Sequence, residues 1–147
     1  MFGTNRKNPA QAYARVGLET GVTAASPHKL IAMLFDGALI AIRKAEQHML
    51  VGEIAEKGAA ISKAMSIVDS GLRSVLNLKE GGELAQNLNA LYVYIYERLA
   101  QAHLKNDPAL LEEAYKLLAE LKSAWDAIGP QGQAATQVST PAATALV

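Results

Sequence analysis

The chain predicts an all-α fold, an antiparallel four-helix bundle with a short extra helix at its N-terminus, and three observations carry that prediction. Half of the 147 residues are apolar but only 5% are aromatic, so the core is built chiefly from alanine and leucine. Polar-then-proline pairs stand at Asn8-Pro9, Ser26-Pro27 and Asp107-Pro108. In each, a side-chain oxygen can cap the first free amides, and the proline sits where its missing N–H costs nothing. Between these breaks and the glycines Gly52 and Gly81-Gly82, apolar residues recur at helical intervals.

This punctuation places helices over about 9–18, 27–51, 53–79, 83–105 and 108–128. Segment 9–18 bears Tyr13 and Val16 on one face and is too short to stand alone in water, so it must dock. Leu18 to Ala25, with Gly21 and its threonines, supplies a hinge behind it. Segment 27–51 presents Leu30, Ile31, Leu34, Phe35, Ala38, Ile42, Ala45 and Met49. Segment 53–79 carries one seam through Ile54, Gly58, Ile61, Met65, Val68, Leu72 and Val75. A second stripe of smaller residues runs through Ala60, Ala64, Ile67, Gly71 and Leu78, where a neighbour can approach closely. Segment 83–105 is expected to bury Leu84, Leu88, Leu91, Ile95 and Ala102, with Tyr92, Tyr96 and Leu99 beside them. Segment 108–128 offers Leu110, Leu111, Ala114, Leu117, Leu118, Leu121 and Trp125. Four long helices with short connections make an antiparallel bundle over residues 1–128, the short first helix lying across an end or in a groove. From 129 to 147 the composition is uncharged and without helical period, which predicts a disordered tail.

Residues 91–96, Leu-Tyr-Val-Tyr-Ile-Tyr, hold three of the five tyrosines without a charge. On a helix this run is apolar most of the way round and needs partners on more than one side. A phenol suits a half-wet contact, because its ring is buried while its hydroxyl stays available to water.

Fourteen basic and fourteen acidic side chains balance to zero, which argues against nucleic acid as a partner, since phosphate binding needs a basic surface. The absence of cysteine removes disulfides and thiolate chemistry. Residues 1–7 lack the apolar core of a secretory signal, and no apolar run approaches a membrane span; a soluble cytoplasmic protein without membrane insertion is expected. His28, His48 and His103 are isolated from one another, and the positions three before them are all alanine. The Glu-x-x-His pairs of a di-metal bundle are therefore missing. The histidines are expected at the solvated surface, with no cofactor, no metal and no catalytic residue.

Several segments together resemble one family. Gln11-Ala12-Tyr13 with Val16, then Thr23 to Ile31 and Met33 to Ala38, are similar to the flagellin-specific export chaperones, the FliS family. So are Lys63-Ala64, Ile67-Val68, Gly81 to Ala85 with Asn87-Leu88, Leu91 to Leu99, Leu117-Leu118 and Ala124-Trp125. The likeness runs in order over about residues 10–128. Phe35 replaces a frequent tyrosine, Val93 stands where the family often has an acidic residue, and the long neutral tail is untypical. The resemblance implies a cytoplasmic chaperone that binds the C-terminal segment of flagellin, prevents premature polymerisation and assists delivery to the export gate of the flagellar secretion apparatus.

Under that reading the client-facing residues are expected among Leu91, Tyr92, Ile95, Tyr96 and Leu99, supplemented by Leu34 and Phe35. The reason is apolar surface in excess of what one core needs. Tyr13 and Val16 are expected to occupy an apolar groove until the client displaces them. A self-associating structural or regulatory bundle, for example a homodimer without a flagellin client, is the alternative.

Overall fold

The computed structural model describes residues 26–137, and among these it holds four helices and no strand. Helix α1 spans Pro27–Leu50 and α2 spans Ile54–Ser66; α2 continues through a wide turn, Ile67–Leu72, and a tight one, Arg73–Val75. Helix α3 spans Gly82–Lys105, and α4 spans Pro108–Gln137 with a break at Gly129. The predicted helix 9–18, with Tyr13 and Val16, lies outside the described residues.

Two of the three predicted caps form as expected, and the third, Asn8-Pro9, lies outside the described residues. Ser26 Oγ accepts the Lys29 amide at 3.1 Å with Pro27 in the first turn, and Asp107 Oδ1 accepts the Ala109 amide at 3.0 Å. Asn106, at φ 54°, takes the left-handed conformation that ends α3. Connections of a few residues force neighbours to run antiparallel, so α1 packs on α2 and α4, and α3 packs on the same two from the opposite corner. Residues from all four helices, among them Ile42, Ile61, Ile95, Leu111, Leu118 and Trp125, form one core.

The predicted helix 53–79 is shorter than expected and is not uniform. Arg73 N–H bonds to Val68 O, an i→i+5 step that widens the turn. Ile67, Val68, Gly71 and Leu72 of this segment are all buried. The small stripe is the one that meets α1: a Cβ on Gly71 would lie 3.2 Å from Leu34 Cδ2, and one on Gly37 would lie 3.3 Å from Ile67 Cδ1. The helix stops at Val75 because Leu76 is extended and Asn77 Oδ1 takes the Glu80 amide at 3.0 Å, a turn of its own. Ile54, first in the predicted seam, is exposed, and Lys57 is buried instead. Its ammonium donates to Asn106 Oδ1 at 2.8 Å and to His103 O at 3.2 Å, a cation on the C-terminal end of α3.

The core register of α3 is also corrected. The buried positions are Ala85, Leu88, Tyr92, Ile95, Leu99 and Ala102, whereas Leu84 is exposed and Leu91 half-buried. Both registers share Leu88, Ile95 and Ala102. The one through Leu84 and Leu91 leads a heptad on to Arg98, a charge that resists burial, while the one through Ala85 and Tyr92 leads to Leu99.

Two further expectations fail. His28 is half-buried, paired with Trp125, and His48 is half-buried with Nδ1 at 2.7 Å from Glu53; only His103 is exposed. The chain is not irregular from 129, because Gly129 breaks α4 at φ 58° and the backbone is helical again to Gln137. Pro130 follows the break at the position where a helix accepts proline. Residues 138–147 lie outside the described ones.

Candidate partner-binding surface

The register of α3 decides which tyrosines are available. Tyr92 sits at a core position and is 2% exposed, while Tyr96, one turn on, is 37% exposed. Tyr96 falls on the flank between Asn89 and His103, both of which reach α2: Arg73 Nε donates to Asn89 Oδ1 at 2.8 Å, and a Cβ on Gly58 would lie 3.2 Å from the His103 ring. Tyr94 takes the opposite flank, where its hydroxyl donates to the Glu113 carboxylate of α4 and the Arg98 guanidinium lies 5.1 Å over its ring. The Glu113 contact comes first among the causes that raise the Tyr94 phenol above its ordinary value.

Of the other candidate residues, Leu34, Phe35, Ile95 and Leu99 are core, each packed among side chains of the other helices. They cannot touch a partner while the bundle is closed, because their positions on α1 and α3 are those that face inward. Leu91 packs half-buried on the core margin. Tyr13 and Val16 lie outside the described residues. Among the described residues of this set, Tyr96 alone is exposed.

Two apolar surfaces were missed by reading the sequence. One is at the end of the bundle formed by the α1–α2 turn and the last turn of α3, where Leu50, Val51, Ile54 and Leu104 are 67–86% exposed. The signal was present: Leu50-Val51 follows Met49 and Leu104 follows Ala102, the last core positions of their helices, so no layer remained for them to join. The other is the outer face of α1, where Met33 and Ile40, seven apart, are exposed beside a groove of about 510 Å³. Its floor and walls are Leu39, Ile40, Arg43 and Gln47 of α1 with Tyr115 of α4. Arg43 is fixed there, 3.5 Å over the Tyr115 ring and bonded to Glu46 at 2.7 Å and Glu112 at 2.9 Å. Its hydrogen bond to Glu46, then that to Glu112, raises the guanidinium further above its usual range.

Among the described residues no three His, Asp or Glu side chains are grouped as metal ligands, and no helix is long and apolar enough to cross a membrane.

Residues 9–132 match the family described as flagellar protein FliS. The chain belongs to the FliS family. It is 46% identical over 121 residues to the flagellar secretion chaperone FliS of Salmonella typhimurium, covering 82% of this chain and 90% of that protein. Its identity to the flagellar secretion chaperone FliS of Vibrio cholerae is 40% over 121 residues, covering 82% and 88%. With the Bacillus subtilis protein of the same name it is 34% over 119 residues, covering 81% and 84%. FliS is a family of chaperones and not of enzymes.

Proposed function

We propose that the chain is a cytoplasmic export chaperone that holds the C-terminal segment of flagellin, keeps it from polymerising and assists its delivery to the export gate of the flagellar secretion apparatus. The observation that carries this reading is apolar surface left over from a finished core. Trp125, Ile42, Ile95, Leu99 and Leu118 are fully enclosed, yet Tyr96 and the Leu50, Val51, Ile54 and Leu104 end face water. The names of the relatives supply the flagellar and secretory context.

A disordered client loses entropy on ordering, so its chaperone must return apolar burial along a long path. Each well-buried aliphatic or aromatic anchor returns about 1.5–3 kcal/mol before those costs. Such holding needs neither nucleotide nor metal. Tyr13 and Val16 fit the same scheme as a stand-in for the client, seated on apolar surface until flagellin displaces them.

Self-association finds less support, because the names of the relatives describe a secretion chaperone and none describes a self-associating protein.

The test is isothermal titration of the whole chain with a C-terminal segment of flagellin from the same organism. Saturable binding of one segment per chain supports the reading, and no heat at tens of micromolar contradicts it.

A further inference from the structure

We draw no further inference here: the strongest candidate, the apolar patch of Leu50, Val51, Ile54 and Leu104 at the end of the bundle formed by the α1–α2 turn and the last turn of α3, carries none, because nothing in the structure shows what covers it.

Discussion

His28 and Trp125 hold each other twice. The indole Nε1 donates to the His28 carbonyl at 2.9 Å, and His28 Nε2 donates to the Trp125 carbonyl at 2.9 Å. The rings stack at 4.6 Å with 16° between their planes. This reciprocal pair ties the first turn of α1 to α4 across 97 positions of sequence and closes one end of the bundle.

Trp125→Phe keeps an aromatic ring but loses one bond, at an expected cost of about 1–2 kcal/mol; His28→Ala loses the other bond and the stack at similar cost. Urea unfolding followed by far-UV dichroism measures both. The double variant should cost less than the sum, because both substitutions weaken the same stacked pair, which needs the imidazole and the indole together. Strict additivity would mean that the two residues act separately.

Gly71→Ala places a methyl 3.2 Å from Leu34 Cδ2, in a core where Leu34 is itself enclosed. A loss of about 1–2 kcal/mol is expected from the overpacking, partly regained when Leu34→Val is added. Gly37→Ala should be milder, since it meets only the tip of Ile67, and alanine is favoured over glycine in a helix by about 0.5–1 kcal/mol. Equal stability of the Gly71→Ala chain would show that the wide turn yields freely.

Burial pushes the Tyr92 phenol above its ordinary value. In the unfolded chain the phenol ionises near pH ~10, so unfolding is favoured once the pH passes that value. The stability due to a neutral Tyr92 is whole below pH ~10 and is lost as the pH rises through the higher folded value. Tyr92→Phe should therefore flatten the alkaline loss of stability and remove the latest step in an absorbance titration of the tyrosines. A Tyr92 that ionises with the exposed phenols would contradict its place in the core.

Much of the architecture was legible because helix ends are local chemistry. Ser26-Pro27 and Asp107-Pro108 each combine a cap with a proline, and the starts of α1 and α4 follow. The register of α3 was not, because Leu88, Ile95 and Ala102 belong to both candidate stripes and only the cost of burying Arg98 separates them. That one ambiguity put Tyr92 and Leu99 on the expected surface rather than in the core. The wide turn at Ile67–Leu72 answers to Leu34 of another helix, and His28 with Trp125 is a tertiary pairing; neither leaves a local signature.

Tyr96→Glu tests the exposed flank of α3. As a half-exposed surface change it should alter stability by no more than about 0.5 kcal/mol and leave helicity intact. Affinity for the flagellin segment should fall at least ten-fold, because a charge replaces an apolar anchor. An unfolded variant would place Tyr96 in the core, and unchanged affinity would move the client to another face.

Light scattering during flagellin polymerisation is the most direct measure of the central claim. Monomeric flagellin from the same organism is induced to assemble with and without an equimolar amount of the chain. The chaperone reading predicts that assembly is suppressed at one chain per flagellin and restored by the Tyr96→Glu variant. Polymerisation at the full rate in the presence of the folded wild-type chain would contradict it.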